Sequence, residues 1–492
     1  MKAVVSKSVM KKSEKYTIGY LVSSKELMNR AGMAVSRSYN FNDKVLVICG
    51  DGNNAGDGYA LALHLNEKNI SVTIGLVNGK FSLNGKVYFE MCKKNKIPIY
   101  MVENIDFSKF DILVDAIYGC EFKGILPKKE AQIVKMINNS QKKVISIDIN
   151  SGLDADSGLT LECVHSDLTV AIGCYKFGHF LNMAKDCMKD LKCVDIGIPI
   201  IGEKLFLMEN DDFKDVLKDR LEYSHKGSYG LVGIMGGSLE YSGSVKLANM
   251  SLSALKAGAG VARLIIPRSI APGVLPYLLE STLMPVPDEY GKMVYDKKSL
   301  EIALDKVTAL LVGIGWGESR EYQLILKYIL ENYEIPLVLD ADGINTLSKM
   351  NLDILKDTKC KVILTPHVKE FSRLSGYTPE EILNNPVELA QVFADKYKVI
   401  LLLKGTTTIV TDGFKTELVN RGCAGMATAG SGDVLSGIIA GLCGFNEPSV
   451  DMVSCGAYIN GLAGEMASAG NDISMVSSDT INYIGKAITS MK

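Results

Sequence analysis

The residues best able to do chemistry in this 492-residue chain sit where apolar runs end. In AGMATAGSGDVLSGIIAGL, Ala424 to Leu442, small residues lead into an apolar helix with Asp433 in its first turn. Gly430 and Gly432 would leave backbone N–H groups open there, and a helix N-terminus carries about half a positive charge, so an anion could sit beside the carboxylate. Read plainly, the aspartate is a helix cap; the glycines around it favour function, because a cap needs no approach space. KGTTTIV, Lys404 to Val410, leaves another buried run and could set Lys404 and the threonine hydroxyls on phosphate, although alone it reads as an ordinary hairpin start. TPHVKEF places His367 at a further strand end, and GIGWGES holds the sole tryptophan, Trp316, as packing or as a surface for a flat ring.

A second set lies nearer the N-terminus. CGDGNNAGDGY, Cys49 to Tyr59, follows a strand pattern and opens a helix, so Gly50, Gly52 and Gly56 could bring bare amides close to phosphate. The next strand, SVTIGLVNG, ends without the acid that would grip a ribose hydroxyl, which argues against a redox dinucleotide domain. Asn53, Asn54 and Asp57 instead crowd the strand end with oxygen, and Asp115 and Ser151 end other strands, which makes a hard cation plausible. Capping and turn formation are the plain alternative. Asp148, in SIDINSGLDADSG, closes an apolar strand, so partial desolvation should shift it toward acid or base work near neutrality, with Lys176 as the matching positive charge.

These residues require strands and helices in alternation. Apolar runs from Lys44 to Gly50, Ser71 to Val77, Asp111 to Ile117, Lys143 to Ile149 and Asp167 to Gly173 predict one largely parallel sheet. Ser23 and Glu26, at capping-box spacing, predict a packing helix ahead of it with Leu27, Met28, Ala31, Ala34 and Val35 on one face. Near residue 212 the pattern loosens into a charged stretch, and a second alternation follows with runs at Leu231, Val261, Ala309, Pro336, Lys361 and Val399, a hairpin turning at Asp412 and Gly413, and a helix-rich end. The two halves share no copied motif and read as different α/β domains, 1–212 and 213–492.

With 54 Lys plus Arg against 56 Asp plus Glu there is no broad basic field, so nucleic acid is not an expected partner. Eleven cysteines without a CxxC pair fit reduced thiols rather than a zinc site or a disulfide framework. No secretory signal and no long apolar run is evident, so the expectation is a cytoplasmic protein without membrane attachment.

In order and spacing, NNAGDG, DAIYG, IDINSGL and the Lys176 segment resemble the epimerase domain of NAD(P)H-hydrate repair proteins. That resemblance implies a Rossmann-like three-layer domain. It also implies that Asn53, Asn54, Ala55, Gly56, Asp57, Gly119 and Asp148 hold the hydrated nicotinamide nucleotide, that K⁺ sits at Asn54, Asp115 and Ser151, and that Asp148 with Lys176 interconverts the R and S hydrates. Gly119-Cys120-Glu121 departs from the usual Gly-Thr-Gly, and Asn150 replaces a usual proline. HKGSYG, MGGS, AGAG, VGIGWG, LDADG, TPHVKEF, LLKGTTT and AGSGD resemble the ribokinase-like, three-layer dehydratase domain of the same family. By that resemblance Asp433 is the base. Lys404, Gly405, Thr406, Thr407, Thr408, Gly430, Ser431 and Gly432 would hold ADP or ATP, with Mg²⁺, ADP being favoured. Ser244, Gly317, His367 and Asp433 would meet the hydrate of NADH or NADPH. Val368 and Lys369 replace a usual Pro-Gly, Ser244 a usual alanine, and Cys423 a usual Asn-Pro element. A homo-oligomer is expected. The rival expectations are a ribokinase-like small-molecule kinase with a non-catalytic nucleotide-binding N-terminal domain and, separately, a first domain that is a nucleotide-sensing or scaffolding module.

Overall fold

The computed structural model of the chain describes residues 1–253 and 256–492. It divides into two compact units, one of Ala3–Leu205 and one of Phe206–Lys492 together with Met1–Lys2.

In the N-terminal unit the strands are β1 (Lys2–Val5), β2 (Val45–Cys49), β3 (Val72–Leu76), β4 (Ile99–Met101), β5 (Ile112–Ala116), β6 (Lys143–Ile147), β7 (Ser166–Ile172), β8 (Tyr175–Lys176) and β9 (Met188–Val194). Seven of them form a parallel sheet in the order β4-β3-β2-β5-β6-β7-β9. All five residues of β2 and of β5 are buried, as a sheet covered on both faces requires. The chain runs outward from β2 to β4 and then returns to β5, so the β2 and β5 ends form the switch point where doubly wound sheets take ligands. Asn53 to Asp57 and Asp115 lie there. The packing helix spans Ser24–Ser38 with Ser23 accepting from Glu26 N–H, and buries Leu27, Met28, Ala31 and Val35, while Ala34 is only partly covered. Glu26 completes no capping box; its carboxylate takes Arg30 Nε at 3.0 Å.

A further helix, Lys7–Tyr20, precedes it and was not legible as one. Its buried line is Met10, Ser13 and Thr17, so the apolar periodicity is broken by hydroxyls. These satisfy themselves locally: Ser13 Oγ donates to Val9 O and Thr17 Oγ1 to Ser13 O, both at 2.8 Å. Also missing from the sequence reading is β1, which pairs in parallel with β8 and sets Val5 beside Lys176.

The second unit contains β10 (Leu205–Leu207), β11 (Leu231–Met235), β12 (Val261–Pro267), β13 (Thr282–Val286), a short hairpin of β14 (Asp288–Glu289) and β15 (Lys292–Met293), then β16 (Ala309–Val312), β17 (Pro336–Leu339), β18 (Lys361–Leu364), β19 (Ile400–Leu403), β20 (Thr408–Thr411) and β21 (Thr416–Val419). The order β13-β12-β11-β16-β17-β18-β19-β20-β21-β10 is parallel as far as β19 and antiparallel through the β20/β21 hairpin. Helix Ser431–Cys443 packs on this sheet, with Val434, Ile438 and Leu442 in one apolar core with Ile234, Leu311 and Val338. That burial aims the first turn of the helix, and Asp433 with it, at the C-terminal ends of the strands. Among the described residues no helix is long and apolar enough to cross a membrane.

Candidate active sites

At the switch point of the first unit, Gly50 passes so close to the next strand that a Cβ there would lie 2.2 Å from Ile117 O. Helix Asn53–Glu67 then begins. Asn54 Nδ2 donates to Tyr118 O at 2.8 Å, while its Oδ1 is buried with no hydrogen-bond partner. Asp115 is 1% exposed and accepts from Ile117 N, Ser151 N, Ser146 Oγ and Ser151 Oγ, the last at 2.5 Å. Burial still pushes its carboxyl up against those donors. Ser151 Oγ also lies 3.2 Å from Tyr118 O, so Asn54, Asp115 and Ser151 meet around that carbonyl. Of the neighbouring expected contacts, Asn53 is exposed, Ala55 and Gly56 are buried, and Gly119 lies against Asn54.

Asp148 is a non-glycine residue at φ 66°, a left-handed conformation that costs about 1–3 kcal/mol and persists where the surroundings impose it. The surroundings are specific. Asp148 Oδ1 is paired with Lys176 Nζ, and its carboxylate accepts from Ile172 N at 3.3 Å and Cys120 N at 3.2 Å. Lys176 N–H donates to His179 Nδ1 at 2.9 Å, so His179 carries its proton on Nε2 and donates to Asp148 O at 2.7 Å. Burial, with the Lys176 charge, lowers His179 to about 4 and keeps it neutral.

The expectation that Asp148 titrates toward neutrality is reversed. Burial alone would raise it, but the Lys176 ammonium, by charge and hydrogen bond, holds the carboxyl below its ordinary value. Asp148 is a fixed anion in a buried ion pair. The group near neutrality is Glu14, on helix Lys7–Tyr20, raised to about 7 by burial and then by the Asp148 charge. Sequence reading missed Glu14 because the helix that carries it has so faint a pattern. Asp57 feels the same field, raised by burial, Asp148 and Glu14.

In the second unit Gly430, at φ 88°, precedes helix Ser431–Cys443, and a Cβ there would meet Leu247 Cδ1 at 2.3 Å. Asp433 is the third residue of that helix, and Ser244 lies near enough to it to lower its carboxyl. A parallel bridge sets His367 beside Lys404, whose backbone N–H donates to Pro366 O at 2.9 Å. Lys404 Nζ lies 2.9 Å from Asp340 Oδ1 and 3.8 Å from Glu370 Oε2, and a Cβ on Gly432 would stand 3.4 Å from the same nitrogen. Burial would lower Lys404, but Asp340 and Glu370 raise it, so it stays a cation. Burial and then the Asp340 charge raise Asp433 to about 6, against the opposing effects of Ser244 and Lys404.

Thus Ser244, Lys404, Gly432 and Asp433 are brought together, with His367 next to Lys404. His367 itself caps helix Val368–Ser375: its Nδ1 accepts from Lys369 N and Glu370 N, and Glu370 returns the bond. Gly405 and Thr406 are exposed, Thr408 opens β20, and Thr407 is buried with its hydroxyl donating to Asn420 Oδ1 at 2.9 Å. Gly317 N–H donates to Asp342 Oδ2 at 2.7 Å. Asp340, Asp342 and Glu370 received no role from the sequence, although two acids closing the apolar run PLVLDAD were a usable signal. Between those two acids Ala341 holds φ 49° and ψ −118°, a strained backbone at this site as at Asp148. Trp316 is wholly buried and stacked on Tyr322 at 4.4 Å, so it is packing and not a surface for a ligand ring.

A carboxylate raised to about 6 gives a sign for pH dependence. The kcat/KM of any reaction that draws on ionised Asp433 should rise as pH passes upward through about 6, and Asp433→Asn should remove that limb.

A doubly wound unit with a polar switch-point loop, and a second α/β unit with a carboxylate at the head of a glycine-led helix, define a Rossmann-like plus ribokinase-like α/β enzyme. Residues 232–486 match the family described as NAD(P)H-hydrate dehydratase, and residues 24–178 match the YjeF-related protein N-terminus. The bifunctional NAD(P)H-hydrate repair enzyme of Moorella thermoacetica is 32% identical, covering 94% of this chain and 92% of its own. That of Archaeoglobus fulgidus is 33% identical over 95% and 94%. The ADP/ATP-dependent NAD(P)H-hydrate dehydratase of Bacillus subtilis, co-crystallized with ATP/Mg²⁺, superposes with a TM-score of 0.51 at 22% identity, covering 58% of this chain and 99% of that one. A ribokinase-like superfamily protein from Enterococcus faecalis gives 0.51 at 23% identity over 58% and 96%. The chain belongs to the family of bifunctional NAD(P)H-hydrate repair enzymes.

Proposed function

We propose that residues 1–212 epimerise the R and S hydrates of NADH and NADPH, and that residues 213–492 dehydrate the S hydrate at the expense of a nucleotide, ADP before ATP. The observation that carries the second half is Asp433: a partly desolvated carboxylate raised to about 6, near Ser244 and Lys404, beside the amides that follow Gly430.

The hydrate carries a hydroxyl on C6 of the nicotinamide ring, and hydroxide leaves poorly. Asp433 takes the hydroxyl proton as that oxygen attacks the terminal phosphoryl group of the nucleotide, whose P–O bond to the rest of the nucleotide breaks so that AMP departs from ADP. The C6–O bond then breaks with phosphate as leaving group, a proton is lost from C5, and the ring double bond returns. The amides from Gly430 to Gly432 and the cation Lys404 meet the charge on the transferred group. His367 and Gly317 border the hydrate. Among the described residues no cluster of three or more His, Cys, Asp and Glu forms a metal cage. Mg²⁺ suits such a place when held mainly by nucleotide phosphates, with Asp340 and Glu370 the nearby carboxylates, and there it would offset phosphate charge.

For K⁺, the orphaned Asn54 Oδ1 beside Asp115 and Ser151 is a donor set of hard oxygen atoms and fits the ion. Bound K⁺ would supply positive charge for a substrate phosphate. Asn54→Ala should shift the K⁺ concentration needed for half-maximal epimerisation upward by about tenfold, read by titrating K⁺ against Na⁺ at constant ionic strength.

The whole reading is tested by incubating purified protein with mixed hydrate epimers, Mg²⁺ and either nucleotide. Complete return of reduced-nicotinamide absorbance is expected. Absence of any return with both nucleotides would refute dehydration, and a halt at the S half would refute epimerisation.

A further inference from the structure

A cavity of about 340 Å³ opens from Gly317 and is lined by Arg320, Gln323, Asn345 and Lys349, none of which has a part in the chemistry above. Short steps connect it to Asp433. Gly317 N–H is bound to Asp342, Asp340 stands two residues before it, and a Cβ on Gly432, the neighbour of Asp433, would lie 3.7 Å from Asp340 Oδ2.

Its lining is cationic on balance, Arg320 and Lys349 against Glu318. Lys349 Nζ stands 3.0 Å from the Glu318 carboxylate, Lys292 Nζ donates to Glu318 O at 3.1 Å, and Arg373 Nη1 donates to Asn345 Oδ1 at 2.8 Å. Of these cations only Lys349 lines the cavity, with Arg320, against the one lining carboxylate, Glu318; Lys292, Arg373 and Asp342 lie outside that lining, and Asp342 already accepts from Gly317 N and Asn345 Nδ2. Arg320 and Lys349 are exposed, so their charged ends can reach a ligand. Arg and Lys at the rim of a concavity are the chemistry that suits a phosphoryl group.

On the dehydration reading above, we infer that this cavity holds a phosphoryl group of the dinucleotide whose hydrated ring lies at Asp433, with Arg320 and Lys349 as its cationic contacts. A hydrate of NADH brings two backbone phosphates, and a hydrate of NADPH adds one on the ribose. Glu318 competes with that group for Lys349.

Michaelis constants for both S hydrates and for ADP should be measured in four proteins: wild type, Arg320→Gln with Lys349→Gln, Arg320→Lys with Lys349→Arg, and Glu318→Gln. The neutral pair should raise the hydrate constant about tenfold or more, while that for ADP stays within about twofold. The charge-keeping pair should restore most of the loss. Glu318→Gln should move the other way and lower the hydrate constant, which structural damage would not do. An equal rise for both hydrates places the backbone phosphates in the cavity; a rise confined to the NADPH hydrate places the ribose phosphate there. An unchanged hydrate constant in the neutral pair, an equal rise for ADP, or no tightening in Glu318→Gln overturns the inference. Calorimetric titration of the hydrates into Asp433→Asn, with and without the neutral pair, reads the cavity without turnover. Failure of the dehydration reading, seen as wild type inactive on both hydrates, is therefore distinguishable from failure of the cavity, seen as equal binding by the two Asp433→Asn proteins.

Discussion

Asp433→Asn should lower nucleotide-dependent dehydration by about a hundred- to ten-thousandfold, the range a positioned general base supplies, with little change in the Michaelis constants. The amide keeps the shape, but it cannot accept the hydroxyl proton. A second readout has the opposite sign. The folded-state carboxyl titrates at about 6, above its ordinary 3.8, so the folded protein holds more protons than the unfolded chain between those values. Stability is therefore lost as pH rises through that window, and at neutral pH the buried charge is a burden. Removing it should stabilise the second unit by up to about 3 kcal/mol, seen as a higher Tm. A variant that is both dead and more stable points to chemistry; one that is dead and less stable points to a structural aspartate.

Much of this site was legible in the sequence because its elements are long and strongly patterned. The apolar helix after Gly-Ser-Gly-Asp has its expected start, and the strands before His367 and Lys404 end close to the expected positions. What escaped was the partnership between strand ends. That Asp340 would pair with Lys404 and raise Asp433 depends on β17, β18 and β19 lying side by side, which no local spacing encodes. The same holds in the first unit. Asp148 and Lys176 were both legible as strand-end residues, yet the tightness of their pair, the neutral His179 behind them and the fixed charge that results are products of packing. Glu14 escaped because its helix buries Ser13 and Thr17 where apolar residues would have marked it.

Asp148→Ala should abolish consumption of the R hydrate, a loss of about a hundredfold or more, while S-hydrate consumption continues. The single change leaves Lys176 buried and unpaired, which costs about 3–5 kcal/mol and could unfold the N-terminal unit. Asp148→Asn with Lys176→Met removes both charges at once, and replacing a buried pair by neutral groups is often tolerated. Expected in that double variant is a folded chain, by circular dichroism and Tm, that converts a mixed-epimer sample only as far as its S fraction plus whatever epimerises spontaneously. Full conversion at the wild-type rate would assign the epimerisation to other groups, Glu14 first among them.

The most direct measurement is the stoichiometry of products from the S hydrate with ADP: reduced nicotinamide nucleotide, AMP and inorganic phosphate quantified together. Equal amounts of all three are expected, because the phosphoryl group placed on the C6 oxygen departs with it. A stable phosphorylated product with no reduced nucleotide would contradict this and make the second unit an ordinary small-molecule kinase.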